Sequence, residues 1–181
     1  MTNGLCGIDE AGRGTIAGPM VVAGVILEKE ISGLTDSKKL SKTKREELFG
    51  IITQNSKYHI CIIDNNKIDE KGISFCIKES LREIMSNLKA DRFLFDGNTS
   101  YKIPNLECRI KADLTVSEVS AASILAKVTK DRILLELGEK YKDFDFFSHQ
   151  GYGTKKHIEE IRKFGLTPIH RKSYKIKSLN I

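Results

Sequence analysis

The chain has 181 residues, enough for one domain with a sizeable core, and its longest apolar run, Met20 to Leu27, is far too short to cross a bilayer. Thirty Lys and Arg against 24 Asp and Glu give a formal charge of +6, which permits a polyanionic partner without establishing one. Cys6, Cys61, Cys76 and Cys108 stand apart in apolar surroundings with no Cys-x-x-Cys pair, and Met1 to Gly4 has no signal-like character, so disulfide scaffolds, zinc ribbons and exported proteins are set aside in favour of a cytoplasmic monomer with reduced thiols.

Leu5 to Ile8 reads as a buried strand that ends at two adjacent acids, Asp9 and Glu10. A glycine-rich turn follows, Ala11-Gly12-Arg13-Gly14-Thr15-Ile16-Ala17-Gly18-Pro19, and then a second strand from Met20 to Leu27. Glycine admits positive φ and close approach of a ligand to the backbone. A dinucleotide loop fits poorly, because the glycine spacing is one residue too long and Pro19 leads into a β-branched run instead of a helix. A hairpin loop whose acids merely face water stays open on these residues alone.

A loop over residues 32–37 precedes a helix expected to start near Ser41 or Thr43, where Thr43-x-x-Glu46 can form a capping box. Leu48, Ile51 and Ile52 give that helix an apolar face, and Lys57 to Ile63 alternates as a third strand punctuated by Asp64-Asn65-Asn66. Ile73, Ile77, Leu81, Ile84 and Leu88 recur at helical spacing. Arg92 to Phe95 is a strand running into Asp96-Gly97-Asn98, and Leu106 to Ile110 is another, ending at Lys111-Ala112-Asp113. An acid thus follows an apolar strand three times, and three such acids make a cation site if the order of strands brings them together.

Thr115-x-x-Glu118 is expected to cap a long helix through Leu137, its first turns lined by Ser120, Ala121, Ala122 and Ser123. Lys127 and Lys130 are ambiguous, since either can simply snorkel to solvent, and Asp131 is read as an ion-pair partner of Lys127. An apolar knot at Phe144-Asp145-Phe146-Phe147 leads to Gly151-Tyr152-Gly153, and a last helix runs from about Thr154 to Phe164. Two basic clusters stand out: Lys38, Lys39, Lys42, Lys44 and Arg45, and Arg171, Lys172, Lys175 and Lys177. Strands alternating with helices point to an α/β domain with a mixed sheet.

A strand end carrying acid next to bare backbone N–H groups suggests a metal-assisted reaction on a phosphate. Phosphodiester hydrolysis brings hydroxide to an anion, and two divalent ions, typically about 3.5–4 Å apart, neutralise the attacking and leaving oxygens. Carboxylates select hard ions such as Mg²⁺. Successive strand residues face opposite sides, so Glu10 is expected to lie where the strand gives way to the turn.

Asp9-Glu10-Ala11-Gly12-Arg13-Gly14 with Ala17-Gly18-Pro19 resembles the opening signature of ribonuclease HII. Asp36-Ser37-Lys38-Lys39-Leu40, Asp96-Gly97-Asn98, Lys111-Ala112-Asp113, Ala121 to Val128 and Gly151-Tyr152-Gly153-Thr154 match later motifs of that family in order. Thr15 stands where the family commonly has proline, which is expected to loosen the loop. The resemblance implies a ribonuclease H-like fold with a central mixed five-stranded sheet, flanking helices and a helical C-terminal extension. It further implies one catalytic domain over residues 1–181, with about 140–181 contacting substrate.

By the same resemblance, Asp9, Glu10, Asp96 and Asp113 are the catalytic and metal-binding residues for two Mg²⁺ or Mn²⁺ ions, one shared by Asp9, Glu10 and Asp96 and the other by Asp9 and Asp113. Gly12, Arg13 and Gly14 read the ribonucleotide with Tyr152, while Ser37, Lys38, Lys39 and Lys127 hold flanking phosphates. The implied activity is cleavage of RNA in RNA/DNA hybrids, and of duplex DNA on the 5′ side of single embedded ribonucleotides, during replication and repair. The rivals are another metal-dependent nuclease of the same fold and a non-catalytic nucleic-acid-binding module, whose binding would fall with salt and ignore Mg²⁺.

Overall fold

β1 (Leu5–Ala11) and β2 (Met20–Leu27) pair antiparallel, with Asp9 opposite Ala23 and Glu10 opposite Val22. The far edge of β2 takes β3 (Ser56–Ile63), also antiparallel. The other edge of β1 takes β4 (Arg92–Asp96) in parallel, and β4 takes β5 (Leu106–Arg109) in parallel, giving the order β3-β2-β1-β4-β5. The computed structural model describes residues 4–35, 37–176 and 179; Asp36 and Lys177, singled out above in a motif and a basic cluster, lie outside the described residues.

The parallel pairs decide where the chemistry sits. Strands running the same way finish at the same edge of a sheet, so the C-terminal ends of β1, β4 and β5 lie side by side. Ile8 is opposite Phe95, and Asp96 is opposite Arg109, which brings the stretches that follow together.

Alternation along β1 and β2 builds a core on each face of the sheet. Cys6, Ile8, Met20 and Val22 pack with Ile77, Leu81 and Ile84 of α3 (Ile73–Asn87). Val21, Ala23 and Val25 pack with Leu48 and Ile52 of α1 (Lys42–Gln54) and with Ala121, Ala122 and Leu125 of α4 (Ser117–Lys140). A β-carbon at Gly7 would collide with the backbone of Glu118 and Val119, so Gly7 lets the first turn of α4 lie directly on β1. Among the described residues no helix is long and apolar enough to cross a membrane.

Helix starts differ from expectation in instructive ways. Ser41 caps α1 by accepting from Lys44 N at 3.2 Å, and Thr43 lies inside the helix, so the Thr43–Glu46 box does not form. Val116 precedes α4 with no side-chain cap, which overturns the box at Thr115. In place of that cap, the backbone of Val116 and Thr115 folds onto Ala112 O in the 3₁₀ turn Ala112–Leu114. Asp64 is the cap of a short helix, α2 (Asn65–Lys71), accepting from Lys67 N at 2.8 Å.

The C-terminal third has its own apolar cluster, in which Ala17 and Leu134 meet Phe144, Phe146, Ile158, Ile161 and Ile169. It gathers α5 (Phe146–His149) and α6 (Lys155–Phe164), the latter capped by Thr154. Phe147 departs from the apolar knot and is exposed.

Candidate active site

Asp9, Asp96 and Asp113 each offer a carboxylate oxygen within 4.8 Å of the others. Asp96 and Asp113 are fixed by local devices. Asp96 accepts Lys111 N at 2.9 Å and Asp113 N at 3.2 Å, so the turn after β5 is tied to the end of β4. Lys111 makes that turn with φ of 60°, and Ser120 Oγ of α4 donates to Asp113 O at 2.6 Å. Asp9 faces α4 and lines the cleft with Ser123 of that helix.

Glu10 does not leave the strand, contrary to expectation: pairing continues through Ala11, so Asp9 and Glu10 face opposite sides of β1. Both still border one cleft because the sheet ends there. Glu10 stands apart from the three clustered aspartates, with Arg13 Nη1 at 3.7 Å from its Oε1. Its Oε2 is buried without a hydrogen-bond partner among the described residues. Burial, reinforced by the charges of Glu10 and Asp96, pushes the Asp9 carboxyl well above its usual range. Burial likewise raises Glu10 to about 7, opposed by Arg13 and reinforced by Asp96.

Buried anions that raise one another's pKa, an orphaned carboxylate oxygen and an all-oxygen donor set fit hard divalent cations. The residues present therefore suit a hard divalent cation.

The cleft has a volume of about 940 Å³ and is lined by all the residues expected at the site: Asp9, Glu10, Asp96 and Asp113, Gly12, Arg13 and Gly14, Ser37, Lys38 and Lys39, Lys127, and Tyr152. Within that cleft they are placed unequally. Ser37 is buried and its hydroxyl is within 2.9 Å of Ser123 Oγ, so it binds the loop to α4. Lys127 Nζ contacts Asp131 at 2.9 Å, the expected ion pair, and also Gln150 Oε1. Lys130 does not snorkel: it is fully buried, donates to Gln150 O at 3.1 Å, and lies 4.9 Å from the centre of the half-exposed Tyr152 ring. Burial lowers the Lys130 pKa to about 8, with Lys127 adding to the shift.

The basic clusters also resolve into different jobs. Arg45 donates to Ser37 O at 2.9 Å and to Leu40 O, which holds the Ser37–Lys39 loop, and Lys44 pairs with Glu47. Arg171, one of the second basic cluster, is buried. Its guanidinium donates to Gly18 O and Arg13 O, each at 3.1 Å, while Tyr174 Oη donates to Arg13 O at 2.7 Å. Thr15 is buried and adds a hydrogen bond within the loop, its hydroxyl donating to Gly12 O at 3.0 Å. Sequence reasoning missed Arg171 and Tyr174 as the clamp on the glycine turn.

Two glycines of that turn have different reasons to be there. Gly12 has φ of +87°, and a β-carbon on it would stand 2.7 Å from Pro19 O. Gly14 has open space where a β-carbon would go. Gly12→Ala is therefore expected to lower stability by about 1–3 kcal/mol, the range for a strained non-glycine backbone. Gly14→Ala should leave the urea midpoint unchanged; equal midpoints for the two variants would contradict this assignment.

A family model described as Ribonuclease HII matches residues 6–177. Ribonuclease HII of Aliarcobacter butzleri is 58% identical over 177 residues, covering 97% of this chain and 92% of the relative. Among solved structures, the ribonuclease HII in a complex with PCNA from Archaeoglobus fulgidus is 32% identical with a TM-score of 0.82, covering 96% of both chains. Ribonuclease H2 of Pyrococcus horikoshii is 28% identical with a TM-score of 0.77, covering 94% of this chain and 93% of that one. A sheet that brings Asp9, Asp96 and Asp113 to one edge, and a family match running nearly from end to end, lead to the same place: the chain belongs to the ribonuclease HII family and is a ribonuclease H hydrolase.

Proposed function

We propose that this hydrolase cuts the RNA strand of RNA/DNA hybrids and also cuts duplex DNA on the 5′ side of a single embedded ribonucleotide. The observation that carries the reading is the convergence of three aspartates in the same cleft as the backbone of Gly12 to Gly14. Asp9, Glu10, Asp96 and Asp113 would hold two divalent cations, Mg²⁺ or Mn²⁺. When bound, these supply charge neutralisation at the attacking and leaving oxygens of an in-line displacement.

The chain's own residues do the rest. Asp96 keeps a fixed orientation because two backbone N–H groups occupy part of its lone-pair capacity. Gly14, open on its ligand side, lets the turn approach a ribose 2′-hydroxyl, the one group that separates RNA from DNA at a given position. The ring of Tyr152, backed by Lys130, would pack on the neighbouring sugar from the C-terminal region, residues 140–181. Lys38, Lys39 and Lys127, with the Ser37 loop, would neutralise flanking phosphates and so position the duplex without reading its sequence. Water adds to phosphorus and the P–O3′ bond of the preceding nucleotide breaks; the products are a 3′-hydroxyl and a 5′-phosphate on the ribonucleotide. Free thiols at all four cysteines fit a protein, proposed as a monomer, working in the reducing cytoplasm.

The test is a DNA duplex carrying one ribonucleotide, incubated with Mg²⁺, Mn²⁺ or EDTA, with the product ends mapped. A single cut 5′ of the ribonucleotide, abolished by EDTA, is expected. Equal cutting of an all-DNA duplex, or cutting in EDTA, would overturn the proposal. Gly14→Ala and Tyr152→Ala are expected to lower turnover on this substrate by roughly 10- to 100-fold, the loss seen when supporting contacts of a site are removed. Unchanged turnover in both would dissociate the turn and the ring from ribonucleotide reading.

A further inference from the structure

Away from the cleft, His59, Cys61 and Glu83 bring a nitrogen, a sulfur and an oxygen donor within 4.8 Å of one another. His59 and Cys61 lie two apart on β3 and so share one face of the strand, the face that packs on α3, which carries Glu83. His59 Nε2 is 2.9 Å from Glu83 Oε1, and the Cys61 thiol, which donates to Ser80 O at 3.7 Å, lies beside both. The sulfur side is buried, while the Glu83 side opens to solvent, with His59 partly covered.

We propose that His59, Cys61 and Glu83 form a second cation site, selective for a borderline transition ion such as Zn²⁺ or Co²⁺. Three protein donors leave the fourth tetrahedral position to water. Donors about 2.0–2.3 Å from such an ion stand roughly 3.5 Å apart, a spacing that rotation of the exposed Glu83 carboxylate brings within reach. Lys67 is the cation that acts on both Glu83 and Cys61, and it lies on the solvent side of α2, with a long stem free to withdraw. The ion would displace the thiol proton and the His59–Glu83 hydrogen bond, joining an edge strand of the sheet to the helix that covers it. Donor softness separates this site from the catalytic one: thiolate and imidazole select Zn²⁺, whereas Asp9, Asp96 and Asp113 offer only oxygen.

Cobalt titration of the full chain tests the proposal, because a thiolate ligand gives a near-ultraviolet charge-transfer band that oxygen ligands do not. One Co²⁺ per chain is expected to produce the band, and Zn²⁺ to bleach it. Cys61→Ser should remove the band, and His59→Gln and Glu83→Gln should each weaken Co²⁺ binding at least about tenfold. Glu83 is exposed, so Glu83→Gln keeps the test valid where Cys61→Ser fails to fold. All three variants should retain Mg²⁺-dependent cleavage, since none of these residues lines the catalytic cleft. No band in the unaltered chain, or a band unchanged by His59→Gln and Glu83→Gln, would overturn the proposal.

Discussion

Replacing Asp96 by asparagine is expected to abolish hydrolysis while leaving duplex binding nearly intact. Asp96 ends β4 between the other acids; its charge raises the pKa of both Asp9 and Glu10, so it lies within the field that would hold the cations. Asparagine keeps the shape and one acceptor for Lys111 N, but its amide nitrogen cannot accept from Asp113 N. The substitution therefore removes the charge of a proposed ligand and frees the turn that positions Asp113. Loss of an outer partner alone typically costs about 10- to 100-fold, so loss of a ligand should exceed that. The cleft lysines proposed to contact phosphate are untouched, which preserves affinity for a hybrid duplex measured in EDTA. Turnover within tenfold of the unaltered chain at saturating Mg²⁺ would remove Asp96 from the metal site.

Much of this site could be read from the residues because its parts follow simple local rules. Apolar runs ending in acids marked β1, β4 and the end of β5, and each ends at the expected place to within a few residues. Their convergence was not legible, since strand order depends on the crossover through α2 and α3, and no pattern within β1 or β4 encodes which neighbour each takes. The capping boxes failed for a related reason. Thr43 and Thr115 have the right spacing to Glu46 and Glu118, but Ser41 already caps one helix and the 3₁₀ turn at Ala112 supplies the other start.

Arg171 shows the limit most plainly. Beside Lys172 and Lys175 it reads as part of a basic surface, yet it crosses more than 150 positions to reach Gly18 and Arg13. Nothing local distinguishes an arginine that will be buried on backbone carbonyls from one that stays in water. Lys130 is the same case on α4: its stem lies against Gly12 and its ammonium on Gln150 O. Three histidines of the C-terminal third, which carried no signal in the sequence, are buried together next to the backbone of Tyr152. His157 approaches Tyr152 O at 2.9 Å and His170 Nε2 at 3.0 Å, and His149 lies 3.8 Å from the His157 ring centre.

The acids should also cost the metal-free chain stability, and the cost has a defined sign with pH. Glu10 titrates at about 7 in the folded chain against an ordinary 4.5, and Asp9 is shifted in the same direction. Between those values the folded state holds a proton that the unfolded state has released, so stability falls as pH rises through the window. Glu10→Gln removes the Glu10 part of this penalty. In EDTA it is expected to gain up to about 3 kcal/mol on the unaltered chain between pH 4 and pH 8, at about 1.4 kcal/mol per pKa unit. An amide in place of the orphaned Oε2 costs roughly 1–3 kcal/mol at every pH, so the change with pH is the diagnostic, not the offset. His149, His157 and His170, each lowered by burial to about 4, lose stability in the opposite direction as pH falls from 6.5, but they are common to both proteins and cancel in the difference. Urea denaturation of the two proteins at a series of pH values measures it. A difference that stays constant from pH 4 to pH 8 would mean that Glu10 carries no strained charge. A rising one, reversed when Mg²⁺ replaces EDTA, would mean that the cations relieve the cost of burying the Glu10 charge in the cleft.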